Sequence, residues 1–285
     1  MPTVSLGAGP IHYEERGPVG GRPLVFVHGF TMGGSLWRPL LDRLADRDLR
    51  CIAPTWPLGS HPEPMRDRSR LTMEGIAGLV AELLEALELD DVVLVGNDTG
   101  GAIAQIVATT RPERIGALVL TSCDAFEHFP PPILKPLIAA ARFAPAFGAA
   151  LQPLRTRPGR RQGFAALAHA DIDDLVREWT AVTVSNRGVR EDLRHFTRSL
   201  DRQSTVRAGE QLTGFTKPAL VAWSADDAFF PVEDGRRLAA ALPDARLEVI
   251  EGARTFAMID QPDVLAGLIA DFAGAPASTE RQSAA

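Results

Sequence analysis

The run Val92-Val93-Leu94-Val95-Gly96-Asn97-Asp98-Thr99-Gly100-Gly101 decides how this chain is read. Four apolar residues lead into Gly-Asn-Asp-Thr-Gly, and residues 101–110 have the pattern of a helix. A strand that enters small-x-Asp-x-small, with a helix leaving, puts the middle residue on a sharp, strained turn. Gly96 and Gly100 keep neighbouring backbone clear, so the Asp98 side chain projects from the sheet edge. The helix N-terminus favours an anion there, and Asp98 is expected to be ionised and able to attack an electrophile. The same letters also fit a plain helix cap beside a glycine turn. They lack Gly-x-Gly-x-x-Gly spacing and so do not form a dinucleotide-binding turn.

Outward from this segment, short β-like runs alternate with helix-length stretches. Strands are expected at 4–6, 11–15, 24–27, 50–53, 91–95 and 115–121, the first two as a hairpin. Helices are expected at 36–44, 72–87 (with Thr72 as its cap) and 101–110. Valine-, leucine- and isoleucine-rich strands joined by helices imply a mostly parallel sheet covered on both faces. The rhythm breaks at Asp124, where Pro130-Pro131-Pro132 follows soon after, and returns with strands at 219–223 and 246–250. Between them, 132–151 and 172–184 read as helical and 155–161 as a basic turn. Helices at 232–241 and 262–272 complete the chain. The parsimonious organisation is an α/β core from 1–123 and 214–274, a helical insertion at 124–213, and a flexible tail at 275–285. Such an insertion needs a partner surface, and the C-terminal edge of the sheet, where ligands bind in open α/β folds, is the natural one.

Bulk properties narrow the function class. The chain has 285 residues, 45% of them hydrophobic, enough for a sizeable core. A formal charge of −6 without a basic block argues against nucleic acid or an anionic membrane as the main partner. No leader pattern opens the chain and no run approaches a membrane-spanning length, so neither a signal peptide nor a span is expected. The two cysteines, Cys51 and Cys123, fall in strand-like runs and read as reduced core residues of a cytoplasmic protein. No metal-ligand spacing, phosphate-cradling loop or nicotinamide fingerprint occurs, and cofactor-free chemistry is expected.

The elbow is paired with His28-Gly29-Phe30 some 70 residues upstream, at the end of the 24–27 run. Together these motifs make the chain resemble an α/β-hydrolase, particularly the haloalkane dehalogenase and epoxide hydrolase branch, in which aspartate replaces serine as nucleophile. The resemblance covers nearly the whole sheet domain, and the insertion falls where that family carries its cap domain. It implies a mostly parallel central sheet with a helical cap. It also implies Asp98 as nucleophile and an oxyanion hole made by the backbone N–H groups of Phe30 and Thr99. The family's acid follows the strand read at 219–223; the loop Ser224-Ala225-Asp226-Asp227 matches best with Asp227 as that acid. Asp124, after the preceding strand, is a second place where some members put it.

The family's catalytic histidine belongs in a Gly-x-Gly-His-Phe-like segment before the last helix. Here that segment is Glu251-Gly252-Ala253-Arg254-Thr255-Phe256, with Thr255 at the histidine position and no histidine after His195. A threonine hydroxyl offers a hydrogen bond but no accessible base near neutral pH. Among His12, His28, His61, His128, His169 and His195, two are candidates for a relocated base. His61 lies in the loop leaving the 50–53 strand, and His128 lies where the insertion begins. His28 is expected to be structural, and Asp124 is an alternative acid or base. Trp56 and Trp179 are candidate pocket walls. Two family devices are missing: the residue after the nucleophile is Thr99, not the tryptophan of dehalogenases, and the sole tyrosine, Tyr13, lies in the opening hairpin.

The resemblance therefore implies a hydrolase-type enzyme acting on a small to medium apolar molecule, a monomer or homodimer, with Asp98 as nucleophile and an atypical base. The alternatives are a cofactor-free tailoring enzyme using Asp98 as acid or base for elimination, rearrangement or cyclisation, and a non-catalytic ligand-binding protein.

Overall fold

In a computed structural model, which describes residues 1–274, eight strands form one sheet in the order β1-β2-β4-β3-β5-β6-β7-β8. They are β1 Thr3–Leu6, β2 Gly9–Arg16, β3 Arg22–Val27, β4 Leu49–Pro54, β5 Val92–Asp98, β6 Ile115–Cys123, β7 Ala219–Ser224 and β8 Ala245–Ile250. The β1–β2 and β2–β4 pairings are antiparallel; β3 to β8 run parallel to one another. The parallel set needs helical crossovers, and α1 (Arg38–Leu44), α2 (Met73–Ala86) and α3 (Thr99–Thr110) supply the first three. Thr72 caps α2, its Oγ1 accepting the Gly75 N–H at 3.0 Å.

Strand β5 sits at the centre of the sheet and shows how both faces are filled. Val93 and Val95 point into the core beneath α1 and the C-terminal helix, whereas Val92 and Leu94 point into the larger core beneath α2 and α3. All four are fully buried. This two-sided burial explains why the strand reads as a continuous apolar run instead of an alternating one.

Among the described residues, everything between β6 and β7 is helical or irregular. The segment holds α4 (Lys135–Ala140), α5 (Ala144–Ala150), α6 (Arg157–Phe164), α7 (Asp173–Ser185), α8 (Arg187–Ser199) and α9 (Arg202–Gln211). The last of these packs on α3 and so belongs to the layer flanking the sheet. After β7 come α10 (Val232–Ala241), the single turn α11 (Ala257–Asp260) and α12 (Pro262–Gly274). The expected basic turn at 155–161 is instead the start of α6, which Thr156 caps by accepting the Gly159 N–H and which carries Pro158 near its first turn. The expected helix over 132–151 is broken into α4 and α5, each entered through a proline. The tail at 275–285 lies outside the described residues.

A cluster of charges fastens the helical segment to the core. Asp192 on α8 is fully buried; its Oδ2 lies 3.1 Å from His61 Nε2 and accepts the Met65 N–H at 2.7 Å, while Oδ1 is 2.5 Å from Arg68 Nε. A buried carboxylate is tolerable only with this many donors.

Candidate active site

Asp98 ends β5 and begins α3 with φ 54° and ψ −135°, a conformation that costs a non-glycine residue strain. Two close approaches hold the turn. A methyl group on Gly100 would lie 2.2 Å from the Val27 carbonyl oxygen, and one on Gly29 would lie 2.1 Å from Asp98 Oδ1. Glycine at both positions lets the end of β3 pass directly against the elbow.

The Asp98 carboxylate is consequently seated on backbone donors. Its Oδ1 accepts the Thr99 N–H at 2.6 Å and the Phe30 N–H at 3.1 Å, the pair named from the sequence as an oxyanion hole. His28 supports the Phe30 side of this arrangement: its Nε2 accepts the Trp56 N–H at 2.8 Å, and burial pushes its pKa down to about 4, so it is a neutral fixture.

Asp98 opens onto a cavity of about 370 Å³, within the size range of small-molecule sites. Its floor is the sheet edge, with Phe30, Asp98, Thr99 and Asp124. Its roof is the helical segment, including Leu134, Leu137, Leu151, Leu154, Phe164 and Leu167. Two further cavities touch neither Asp98 nor Asp124, and the nearer one shares only Phe164 with the first.

Three carboxyl groups gather around the elbow. Asp124 lies beside Asp98, its Oδ2 accepting the Thr99 hydroxyl at 2.9 Å and its N–H donating to the Asp98 carbonyl at 3.3 Å. Burial, reinforced by the neighbouring Asp98 charge, holds the Asp124 carboxyl well above the usual carboxylate range. Burial also raises Asp98, against the lowering effect of its two backbone N–H bonds. The expectation that the helix terminus alone settles Asp98 as an anion is thus incomplete, because desolvation opposes it. The two backbone N–H donors favour the charged form of Asp98, whereas burial and the neighbouring Asp98 charge both favour the protonated form of Asp124.

Asp227 stands behind the cavity wall. Its Oδ1 accepts the N–H groups of Phe229 and Phe230 and the hydroxyl of Thr255 at 3.1 Å, and burial again raises its pKa. Thr255 is fully buried, with its hydroxyl against Asp227.

The other candidates fall elsewhere. His61 is committed to Asp192 at the foot of the helical segment and does not line the Asp98 cavity, so it is no base for Asp98. The loop that carries it turns toward α8 instead of over the elbow. His128 is exposed, its Nδ1 lying 2.8 Å from Asp234 Oδ2, and it does not line the Asp98 cavity. Trp56 is packed in the core with its Nε1 donating to the Phe26 carbonyl, and Trp179 donates to Ser35 Oγ and lines a separate cavity. Neither tryptophan walls the Asp98 cavity. Sequence reasoning missed Asn97, whose Nδ2 lies 2.9 Å from the Thr255 carbonyl and 3.1 Å from Thr121 Oγ1, tying the elbow to the segment before α11. A polar residue amid a buried strand was the available signal. It also missed Phe229, Phe230 and the leucine-rich roof, which have no motif.

The strand order and the strand–turn–helix elbow at Asp98 are those of an α/β-hydrolase fold. The chain belongs to the alpha/beta hydrolase fold family, whose sequence profile matches residues 22–262. It is 28% identical over 278 residues to a 2-hydroxy-6-oxononadienedioate/2-hydroxy-6-oxononatrienedioate hydrolase of Dechloromonas aromatica, covering 92% of this chain and 90% of the relative. It is also 28% identical over 271 residues to haloalkane dehalogenase 2 of Mycobacterium tuberculosis, with the same coverage of 92% and 90%. Among solved structures, an alpha/beta hydrolase fold protein from Burkholderia ambifaria superposes with a TM-score of 0.80 at 19% identity, covering 95% of this chain and 97% of that one. Among the described residues, no helix is long and apolar enough to cross a membrane.

Proposed function

We propose that this protein is an enzyme acting on a small to medium apolar electrophile, of the alkyl halide or epoxide kind, with Asp98 as nucleophile. The observation that carries this reading is the different placement of the two Asp98 oxygens. Oδ1 is held by the Phe30 and Thr99 N–H groups, leaving Oδ2 for the apolar cavity. Attack by Oδ2 on carbon makes Oδ1 the carbonyl oxygen of an ester. Water attack on that ester then builds oxyanion charge on the atom that already has two donors. The helical segment serves as the cap that closes the cavity and excludes bulk water. A relative named as a haloalkane dehalogenase is in keeping with this chemistry. Among the described residues lining the cavity none is histidine, and Thr255 offers a hydroxyl instead, so ester release does not follow the family's usual route.

A second reading, acid–base chemistry without an ester, draws on the buried Asp98–Asp124 pair, whose raised carboxyls suit elimination, rearrangement or ring closure. Intact-protein mass after incubation with a panel of alkyl halides and epoxides separates the readings. The nucleophile reading expects an adduct mapping to the Asp98 peptide and absent from Asp98→Ala. Substrate consumed through Asp98 with neither adduct nor solvent oxygen in the product supports acid–base chemistry. A panel left unconsumed by a protein that still binds its members supports a ligand-binding role.

A further inference from the structure

We infer that Asp124 is the proton-transfer residue of this site, serving an oxygen leaving group such as that of an epoxide. The inference rests on the reading of Asp98 as nucleophile and adds what that reading lacks, a source and a sink for the proton.

The argument begins with the polar groups the cavity offers. Among the described residues lining it, the polar side chains are those of Thr31, Asp98, Thr99, Asp124 and Gln162. Threonine and glutamine have no protonation change near neutral pH. Once Asp98 is committed to attack, Asp124 is the remaining lining group that can give up and regain a proton. Its position is fixed by the same residue that fixes the nucleophile. Thr99 holds Asp98 Oδ1 through its N–H at 2.6 Å and Asp124 Oδ2 through its hydroxyl at 2.9 Å. Asp124 is further anchored by its own N–H on the Asp98 carbonyl and by Gln105 Nε2, which donates to the Asp124 carbonyl at 3.0 Å. The carboxyl thus has one oxygen tied to Thr99 and the other available at the cavity wall beside the reacting atoms. Burial and the adjacent Asp98 charge both favour the protonated form of Asp124, the state needed for donation.

The proton balance closes. Asp98 Oδ2 forms a bond to an epoxide carbon as the carbon–oxygen bond breaks, and the departing oxygen takes the proton of Asp124. The products are a hydroxyalkyl ester of Asp98 and an Asp124 carboxylate. That carboxylate takes a proton from a water as its oxygen adds to the ester carbonyl carbon, with the negative charge borne by Oδ1 against the Phe30 and Thr99 N–H groups. Collapse expels the alkoxide, which takes the proton of the newly formed Asp98 acid. A diol leaves, and both carboxyl groups return to their starting states. A halide needs no proton on departure, so the arrangement is better matched to epoxides than to alkyl halides.

The test uses a matched pair of reagents, 1,2-epoxyhexane and 1-bromohexane, on the full chain and on Asp124→Asn, which keeps the shape and the Thr99 contact. The readout is the rate of Asp98 modification by intact mass, with loss of reagent followed in parallel. Proton donation by Asp124 predicts that the ratio of epoxide rate to bromide rate falls by about 100-fold in the variant. The bromide rate of the variant and its near-ultraviolet circular dichroism report whether the site is still folded; if Asn does not fold, Asp124→Glu is compared in the same way, with a smaller drop in the ratio. An unchanged ratio in a folded variant overturns the assignment of Asp124 while leaving Asp98 as nucleophile. A native protein modified by neither reagent, and consuming neither, overturns the nucleophile reading and the assignment together.

Discussion

The hydroxyl of Thr255 donates to Asp227 Oδ1 across 3.1 Å, the two residues that the resemblance matches to the family's histidine and acid positions. Asp227 is otherwise equipped as an acid, with two backbone N–H donors and a buried carboxyl. Under the proposed function, this pairing separates capture of an electrophile by Asp98 from release of the ester by an imidazole.

Replacing Thr255 by histidine should therefore act on release. An imidazole held by Asp227 and aimed at the elbow is expected to shorten the lifetime of an Asp98 ester by about 100-fold, the usual scale of general-base assistance. Because Thr255 is fully buried, the larger side chain should cost about 1–3 kcal/mol in stability. Adduct decay followed by intact mass, with a thermal melt beside it, measures both; an unchanged decay would show that position 255 does not reach the ester.

Gly29→Ala should be among the most damaging small substitutions in the chain. Its methyl would sit 2.1 Å from Asp98 Oδ1 and 2.5 Å from Asp98 Cβ, neither of which can retreat without breaking the hydrogen bonds of the elbow. A loss of about 2–4 kcal/mol is expected from the clash, together with loss of Asp98 modification. Denaturant unfolding and the mass assay report the two effects separately.

The carboxyl pair should also write itself into the pH dependence of stability. Burial raises the Asp98 and Asp124 pKa values above the ordinary 3.8. A raised carboxyl contributes stability that is fully present below the unfolded value and lost as pH rises through the folded value. Asp124→Asn removes one such penalty. Its melting temperature should match that of the native protein near pH 4 and exceed it by at least about 2 °C at pH 8. A constant difference across that range would mean that Asp124 is not desolvated in solution.

Substitutions at His61 distinguish a fastening role from a catalytic one. His61→Ala leaves the buried Asp192 with one donor fewer and should cost about 1–3 kcal/mol. Asp192→Ala, which leaves His61 Nε2 and the Met65 N–H without their acceptor while the part-exposed Arg68 turns to water, should cost about 2–4 kcal/mol. At temperatures where His61→Ala remains folded, Asp98 should be modified within about 3-fold of the native rate, since His61 faces α8 and not the cavity. A drop of about 100-fold, the scale of lost acid–base help, would return His61 to the list of bases.

Much of the sheet was legible because its signals are local. The β5–α3 elbow needs glycines at fixed offsets, and β3 and β7 are compact apolar runs buried along most of their length, whereas the edge strand β8 shows itself by β-formers alternating with charged residues. Phe30 and Thr99 could be named because each is next to a motif residue and contributes only its backbone N–H. The histidines and tryptophans were harder. Which way the loop carrying His61 turns is decided by Asp192, a residue 131 positions away, and no local spacing encodes that partner. Trp56 and Trp179 could each have faced ligand or core, and donors satisfied by Phe26 and Ser35 settled them in the core and at another cavity. In the helical segment, α8 and α9 escaped notice because their polar faces hide a sparse buried stripe, with Val189, Leu193 and Phe196 on the first.

The helical segment leaves the sheet at the end of β6 and rejoins it at the start of β7, and those strands are neighbours, with Leu118 opposite Ala219 and Thr121 opposite Ala222. Because the two strands are parallel, the excursion starts at one edge of the sheet and ends at the other, and the sheet fixes both of its ends in space. Because the entropy of closing a loop grows only with the logarithm of its length, residues can be gained, lost or exchanged across this segment while Asp98 and its donors stay in place. If Asp98 acts as proposed, selectivity and chemistry are written on separate parts of the molecule, and the roof of this cavity can drift toward new molecules without asking the elbow to change.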